Sequence, residues 1–267
     1  MPDCPTGLPV LCHRLENNME PQLLAGKAAL VTGGARRIGA EICRMLHAQG
    51  MDLAVHYHAS EGEARGLQRE LLDKRPGSVF LVQGDLLDAA VPQSLVAQTL
   101  ENYRRLDVLV NNASSFYPTP VCDVTHGQWD DLMGTNLRAP FFLSQAAAPY
   151  LRRTGGCIVN ITDIHSERPL KNYPVYSMAK AGLAMLTRSL ARELAPEVRV
   201  NAVAPGTILW PEMGLDEPLK QQILARVPRK EPGEPADIAR AVLFLVRDAG
   251  YVSGQIIAVD GGRSVVA

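Results

Sequence analysis

The sequence predicts a single α/β domain built on a doubly wound parallel sheet of about seven strands, with helices on both faces. Short apolar runs recur along the chain without polar–apolar alternation, as is typical of strands buried on both faces of a parallel sheet. Stretches with apolar residues at helical spacing separate most of these runs, and this alternation favours crossover connections between parallel strands. The 267 residues, 46% of them hydrophobic, are enough for one large core.

The charge balance argues against a nucleic-acid or anionic-membrane role. Lysine and arginine number 27 and the acidic residues 28, which leaves a formal net charge of -1.

No apolar run has the length of a membrane-spanning helix, and we expect no secretory signal at the start of the chain. The five cysteines are widely spread without a C-x-x-C pair, so we expect reduced thiols and a cytoplasmic protein. Cys4, Cys12 and His13 lack ligand spacing, and no metal site is predicted.

The elements follow from apolar runs and from helix start and stop signals. Residues 1–25 have no apolar period and are predicted to form a loose leader before a domain over 26–267. Ser60 and Glu63 fit a capping box at the start of the second helix. Strands are predicted at 28–31, 53–55, 79–82, 108–110, 158–161, 198–203 and 256–259. Further helices are predicted between Ile38 and Gly50 and over 89–105, 126–152, 175–195 and 235–247.

A glycine-rich turn links the first strand to the first helix. In Thr32-Gly33-Gly34-Ala35-Arg36-Arg37-Ile38-Gly39, the glycines let backbone approach a pyrophosphate, whose charge is favoured at a helix N-terminus. The alternative interpretation is a tight strand–helix turn without a ligand. The strand before the turn and the helix after it supply the context that a dinucleotide site requires.

Two features near this turn favour NADP over NAD. Arg37 occupies the position of the expected middle glycine, where a cation suits an additional phosphate. The second strand ends in His56-Tyr57-His58, with no acidic residue to bind the ribose hydroxyls of NAD. Ser60 is either a helix cap, a phosphate ligand or both. His56 and His58 share one strand face, but no third metal ligand accompanies them.

Tyr176 and Lys180 lie one helical turn apart and share a helix face. A free tyrosine has a pKa near ~10, and a neighbouring ammonium lowers it, which makes the pair a candidate proton donor. The alternative is a solvated helix surface. Because the same chain also carries the glycine turn and Asn111-Asn112-Ala113 at a strand end, the catalytic interpretation is favoured.

Together these motifs resemble the short-chain dehydrogenase/reductase family, over roughly residues 27–262, and the resemblance implies a Rossmann-like fold. It implies that Tyr176 is the catalytic acid, that Lys180 holds the nicotinamide ribose and lowers the tyrosine pKa, and that Asn136 supports a proton relay. It also implies an adenine contact at Asp85. The implied NADPH site comprises Gly33, Arg37, Ile38, Gly39, His56, Tyr57, His58, Ser60, Asp85, Leu86, Asn112, Ala113, Ser114, Tyr176, Lys180, Pro205, Gly206 and Thr207.

One position departs from the family pattern. Most members place a serine about 13 residues before the tyrosine, and here that position is Asp163. A carboxyl group there can supply a proton to Tyr176 or accept hydrogen bonds from an amino-pyrimidine, which suits a ring C=N bond better than a simple ketone. Thr162 and Ser166 lie close by, so a hydroxyl in an ordinary register is the alternative.

A second departure is the run Asn111-Asn112-Ala113-Ser114-Ser115-Phe116-Tyr117-Pro118-Thr119-Pro120, in which an aromatic follows the strand end. A flat ring can stack between Phe116 and the nicotinamide, or Phe116 closes the core beneath a loop. These segments resemble the pteridine reductases within the family. The resemblance implies that Arg37, Ser114, Phe116, Asp163 and Tyr176 contact the pterin. The segment Ile208-Leu209-Trp210-Pro211-Glu212 is similar to the substrate loop of bacterial members.

The predicted function is therefore NADPH-dependent reduction of a dihydropterin, dihydrofolate or oxidised pterin to the tetrahydro form. The first alternative is an NADPH-dependent carbonyl reductase acting on a ketone, sugar or acyl thioester. A non-catalytic dinucleotide-binding sensor is the second, and the intact Tyr176, Lys180 and Asn136 argue against it. The family resemblance implies a homotetramer.

Overall fold

Seven parallel strands form one sheet in the computed structural model, which describes residues 23–209 and 216–266. The strands are β1 (Ala28–Val31), β2 (Asp52–Tyr57), β3 (Val79–Gln83), β4 (Val108–Asn111), β5 (Cys157–Ile161), β6 (Arg199–Pro205) and β7 (Ile256–Val259). Their order in the sheet is β3-β2-β1-β4-β5-β6-β7. The strand order therefore reverses between β1 and β4, and in open α/β sheets ligands bind at such a switch point beyond the carboxyl ends of the strands.

Helices connect the strands and cover both faces of the sheet. They are α1 (Arg37–Ala48), α2 (Glu61–Lys74), α3 (Val91–Tyr103), α4 (His126–Met133), α5 (Ala139–Thr154), α6 (Pro174–Glu193), α7 (Glu217–Ala225) and α8 (Pro235–Arg247). Short 3-10 turns lie at Ile164–Ser166 and Arg263–Val265. The α/β class, the parallel sheet and the seven strands are all confirmed.

Alternate residues of each central strand enter two separate cores. Val31 and Val55 pack with α1, α2 and α8 on one face. Leu30 and Ala54 pack with α3 and α5 on the other face. A strand that is buried on both sides has no polar face, which is why these strands appear in the sequence as continuous apolar runs.

The predicted helix over 126–152 is interrupted. Residues Gly134–Arg138 form a π-helical turn between α4 and α5, and α5 extends to Thr154. A helical apolar period does not reveal a local change in hydrogen-bond register, so the sequence pattern did not distinguish one long helix from two. π-Turns of this kind are frequent at functional sites.

Three further predictions need correction. Leu24, assigned to the loose leader, is 2% exposed and packs in the core, and its amide donates to Gln49 O. Ser60 does precede α2, but its side chain makes no capping bond, so the predicted capping box with Glu63 is wrong. Helix α7 (Glu217–Ala225) forms where no helix was predicted.

Several predicted features fall outside the described residues. They are most of the leader, including Cys4, Cys12 and His13, and the part of the substrate loop formed by Trp210, Pro211 and Glu212. Within the described part of the chain, Cys43, Cys122 and Cys157 are free thiols. A search of the described helices finds none with the length and apolar character needed to cross a membrane.

Candidate active site

The glycine turn after β1 is built so that no side chain fills it. Gly33 has a φ of +58°, and a Cβ there would lie 2.9 Å from the Cα of Ala113. A Cβ on Gly39 would lie 2.2 Å from Gly33 O and 2.6 Å from Asn112 Nδ2. Arg37 has a φ of +53°, in the left-handed region that favours glycine. This bare backbone at the start of α1 fits the pyrophosphate of a dinucleotide.

Two side chains, those of Asn112 and Thr32, hold the turn in place. Asn112 donates through Nδ2 to Thr32 O and Gly33 O, both at 2.9 Å. The hydroxyl of Thr32 accepts the backbone amides of Asn112 and Ala113 at 3.0 and 3.1 Å. The predicted cofactor residues at the end of β4 are therefore bound to the turn after β1, directly across the switch point.

The side chain of His56 also holds the glycine turn. It is 2% exposed, its Nδ1 accepts the Gly33 amide at 3.2 Å, and its Nε2 donates to Gly84 O at 3.1 Å. Burial is the main cause that lowers the pKa of His56 to about 4, so the ring is neutral at pH 7. Both ring nitrogens are engaged by backbone groups, and the cofactor contact that the family resemblance implies for His56 stays a prediction. The His56 side chain therefore positions the backbone of the glycine turn.

The other residues predicted around the adenosine side lie at the same edge of the sheet. Tyr57 is buried in a small apolar cluster with Ala35 and Ala64, whereas His58 is exposed. Asp85 is exposed after β3, and its Oδ1 accepts the Leu87 amide at 2.9 Å. His58 is followed two positions later by the half-buried Ser60, at the start of α2.

Asp163 and Tyr176 meet directly. Tyr176 Oη donates to Asp163 Oδ2 at 2.7 Å. The other carboxylate oxygen, Oδ1, accepts the amide of His165 at 2.8 Å, which orients the carboxyl group. Thr162 turns instead into the sheet, where its hydroxyl donates to Val203 O at 3.1 Å. Of the two, it is therefore the aspartate and not Thr162 that lies beside the tyrosine.

The pKa of Tyr176 shifts in the direction opposite to the sequence prediction. Burial and then the negative charge of Asp163 raise it well above its ordinary value, and a hydrogen bond from Ser114 acts weakly in the other direction. The prediction of a lowered tyrosine pKa was based on Lys180 alone and did not include the carboxylate 2.7 Å away. The phenol therefore keeps its proton at neutral pH in this arrangement.

Lys180 is fully buried behind the tyrosine. Its Nζ donates to Ile161 O at 3.0 Å and lies 5.6 Å from the centre of the Tyr176 ring. Burial lowers the pKa of Lys180 to about 8. The ammonium is thus still mostly protonated at pH 7, on the same helix face as Tyr176, as the four-residue spacing predicts.

Asn136 and Ser114 complete the polar part of the site. Asn136 is fully buried within the π-turn, and its Oδ1 accepts the Ser114 hydroxyl at 2.6 Å. Its Nδ2 donates to Ser115 O and Leu132 O, both at 2.9 Å. The side chain of Asn136 therefore fixes the loop after β4 next to the tyrosine. The proton relay that the family resemblance implies for this residue stays a prediction.

Phe116 forms an aromatic wall beside the acid. Its ring is stacked on Tyr173 with centroids 4.7 Å apart and meets the edge of Tyr176 at 4.8 Å. Phe116 is 46% exposed, so the alternative that it closes the core beneath a loop is wrong. Tyr173 was not predicted, although its spacing of three residues from Tyr176 was a usable signal.

The turn after β7, which contains Asp260 and Arg263, packs against the end of β6. A Cβ on Gly206 would lie 2.5 Å from the Cβ of Asp260, so β6 and this turn are in close contact. Arg263 donates through Nη1 to Thr207 Oγ1 at 2.6 Å. The predicted segment Pro205–Thr207 is therefore held from behind by a residue that the sequence did not indicate, because 56 positions separate the two partners.

Comparisons with known proteins match nearly the whole chain. The family model described as Enoyl-(Acyl carrier protein) reductase matches residues 33–264. Pteridine reductase 1 of Leishmania tarentolae is 37% identical over 280 residues, which cover 89% of this chain and 96% of that protein.

Relatives named for ketoacyl reduction are equally similar. The 3-oxoacyl-(acyl-carrier-protein) reductase FabG of Staphylococcus aureus is 37% identical over 240 residues, with 88% of this chain and 97% of that protein covered. The Granaticin polyketide synthase putative ketoacyl reductase 2 of Streptomyces violaceoruber is 36% identical over 245 residues, with 89% and 96% covered. Overall sequence identity therefore does not distinguish a pteridine reductase from a ketoacyl reductase. That distinction depends on the side chains of the site.

Proposed function

The chain belongs to the short-chain dehydrogenase/reductase family of oxidoreductases, and from that premise we propose that it is an NADPH-dependent reductase of pterins. The observation that carries this proposal is the 2.7 Å hydrogen bond between Tyr176 and Asp163. A second acidic group beside the catalytic phenol suits a nitrogen heterocycle, which needs a proton at nitrogen and offers amino groups to a carboxylate.

The residues that would hold the cofactor fit a phosphorylated dinucleotide. Gly33 and Gly39 leave bare backbone at the start of α1, and Lys180 would bind the nicotinamide ribose. Arg37 and His58 offer basic side chains where an acidic residue would otherwise select NAD. When bound, NADPH supplies the hydride that the carbon of the ring C=N accepts.

The protein's own part in the reaction is to place the ring and to deliver the proton. Phe116 offers an exposed aromatic face on which a flat ring stacks, with Ser114 and Tyr176 adjacent. Tyr176 Oη donates the proton to the ring nitrogen, and Asp163, hydrogen-bonded to the same hydroxyl at 2.7 Å, is the second acid–base group of the pair. Asp163 holds the phenol hydrogen bond and offers its carboxyl group to the amino edge of the substrate.

The test is NADPH oxidation with dihydrobiopterin, dihydromonapterin and dihydrofolate as substrates, and NADH oxidation in parallel. Dihydropterin turnover with preference for NADPH is expected. Replacing Asp163 by Asn keeps the shape but removes the charge, and we expect kcat to fall by about 100-fold, in the range for a general acid–base group. Binding of NADPH should change less than about twofold.

The matched control is Glu167→Gln on the same loop, whose side chain is 72% exposed and should leave pterin turnover intact. Phe116→Ala should raise the KM for dihydropterin about tenfold, since aromatic stacking contributes roughly 0.5–1.5 kcal/mol. Full pterin turnover in Asp163→Asn would contradict the proposal.

Carbonyl reduction is the second candidate, and the equal similarity to ketoacyl reductases favours it. In that case 3-oxoacyl thioesters or simple ketones, and not pterins, would be turned over. Asp163→Ser would then be tolerated or beneficial, because a hydroxyl suits a substrate carbonyl. This one variant separates the two functions by the sign of its effect.

A further inference from the structure

One carboxylate holds the loop that carries the aromatic wall. Asp131, near the end of α4, accepts a hydrogen bond from Tyr117 Oη at 2.7 Å through Oδ2. Its Oδ1 accepts from Ser115 Oγ at 3.1 Å and from Thr135 Oγ1 at 3.3 Å. The two loop residues so bound are the immediate neighbours of Phe116 on either side.

The position of Phe116 needs such support. Its ring is 46% exposed, yet it lies within 15° of the plane of Tyr173 and contacts the edge of Tyr176. An exposed aromatic side chain on a connecting loop loses this orientation when the backbone on either side moves. Asp131 restrains both sides at once, which no single contact of the Phe116 ring does.

The π-turn adds a second attachment to the same loop. Asn136 lies five residues after Asp131, and its side chain bonds Ser114 Oγ and Ser115 O. Loop residues 114–117 are thus bound to one short helical segment through Asp131 and Asn136. The carboxylate supplies the charged acceptor, and hydrogen bonds to a charged group are about twice as strong as neutral ones.

Asp131 is bonded to uncharged groups. Among the described residues, the acceptors of salt bridges do not include it. Its three partners are neutral hydroxyls, all at the loop or one turn along the helix. Because Asp131 is half-buried and bonded to these hydroxyls, a role in surface charge does not explain why a carboxylate occupies this position.

We propose that Asp131 is a positioning residue for substrate recognition, which holds Phe116 at the angle that a flat heteroaromatic ring requires. The substrate class in this statement rests on the proposed function. Asp131 acts through Ser115 and Tyr117 and does not touch the substrate. Its loss is therefore expected to weaken substrate binding while leaving the acid, Tyr176, in place.

The first test is steady-state kinetics of Asp131→Asn with dihydropterin. We expect KM to rise about tenfold, kcat to stay within about twofold and NADPH binding to stay unchanged. Asp123→Asn is the matched control, because it removes the same charge from an exposed position just before α4. Tyr117→Phe should also raise the KM. The increase in the free energy of substrate binding in the double variant should be smaller than the sum of the increases in the two single variants, as expected of residues in contact.

The second test follows Tyr117 itself, by fluorine NMR of protein labelled with fluorotyrosine, with the signal assigned by Tyr117→Phe. Burial and the hydrogen bond to Asp131 raise the pKa of Tyr117 to about 12, and the titration should move towards the ordinary value in Asp131→Asn. This readout does not depend on the substrate.

Failure of the proposed function and failure of the Asp131 inference give different results. No pterin turnover by the wild-type protein contradicts the proposed function, and with it the substrate class named here. Pterin turnover with an unchanged KM in Asp131→Asn overturns the inference alone, whether or not Tyr117 shifts. A fall in kcat equal to the fall in kcat/KM, or a loss of NADPH binding, also overturns it, because the acid or the cofactor site would then be affected.

Discussion

At the scale of single residues, His56 links acid stability to the cofactor turn. The neutral ring accepts the Gly33 amide and donates to Gly84 O, and protonation would remove the acceptor. Its folded-state pKa is about 4, below the ordinary value of ~6.5. The unfolded chain therefore binds more protons between these values, and the free energy of unfolding falls as the pH drops through this window.

We predict that this group contributes about 2 kcal/mol of the difference in stability between pH 7 and pH 5. In His56→Gln the free energy of unfolding should be lower at pH 7 but should decline less towards pH 5. Urea denaturation at the two pH values measures both. His58→Gln, at an exposed position two residues on, should keep the wild-type dependence. Equal slopes in the wild type and His56→Gln would contradict the prediction.

The acid–base residues show how far sequence reasoning extends at this scale. Counting 13 residues back from Tyr176 identified Asp163, and the hydrogen bond between them confirms that the two side chains meet. The direction of the tyrosine pKa was wrong, because it depends on burial and on a distance that spacing does not give. Asp131 carried no sequence signal at all, since its partners lie on a loop 14 to 16 positions away.

At the scale of elements, the contact between the glycine turn and α1 leaves no room for a methyl group. Gly39→Ala would bring a Cβ to 2.2 Å from Gly33 O, which is backbone and cannot rotate away. We expect the free energy of unfolding to fall by about 1–3 kcal/mol, the range for overpacking, and NADPH binding to weaken at least about 100-fold. Calorimetric titration and urea denaturation measure the two effects.

Gly62→Ala is the matched control for that prediction. Gly62 lies in the first turn of α2 with no atom within 4 Å of an added Cβ. Alanine there should raise stability by roughly 0.5–1 kcal/mol, because it reduces the conformational freedom of the unfolded chain. If Gly39→Ala bound NADPH as tightly as Gly62→Ala does, the turn would not be the pyrophosphate site.

The elements that the sequence located well are those with strong local patterns. The apolar runs placed all seven strands to within two residues at either end; β6, predicted over 198–203, covers Arg199–Pro205. The π-turn between α4 and α5 was missed, because it is stabilised by bonds from Asn136 to a loop 21 and 22 positions earlier. A local period contains no information about such a distant partner.

At the scale of the whole molecule, an apolar surface on α4, α5 and α6 bears on assembly. Phe141, Phe142 and Met185 are 42%, 45% and 58% exposed, and they line one groove with Leu137 and Leu186. Large exposed apolar patches mark association sites in soluble proteins. The homotetramer that the family resemblance implies stays a prediction, and this surface is where we expect one of its interfaces.

Replacing Met185 by Glu should therefore lower the oligomeric mass measured by light scattering after size-exclusion chromatography, because a charge would be buried in the contact. The protomer should still fold, since the side chain faces outward. Tyr251→Glu, at a fully exposed position outside this groove, is the comparison that should keep the wild-type mass. An unchanged mass in Met185→Glu would exclude this surface as an interface.

The sequence by itself determined the α/β class, the parallel sheet and the location of the glycine turn, and it indicated Asp163, Tyr176 and Lys180 as candidate site residues, because these depend on residues close together along the chain. Only the tertiary structure decided how the site is held together. The neutral state of His56, the raised pKa of Tyr176 and the support of Phe116 by Asp131 all arise from burial and from contacts between distant segments. Such contacts exist only once the strand ends have met at one edge of the sheet.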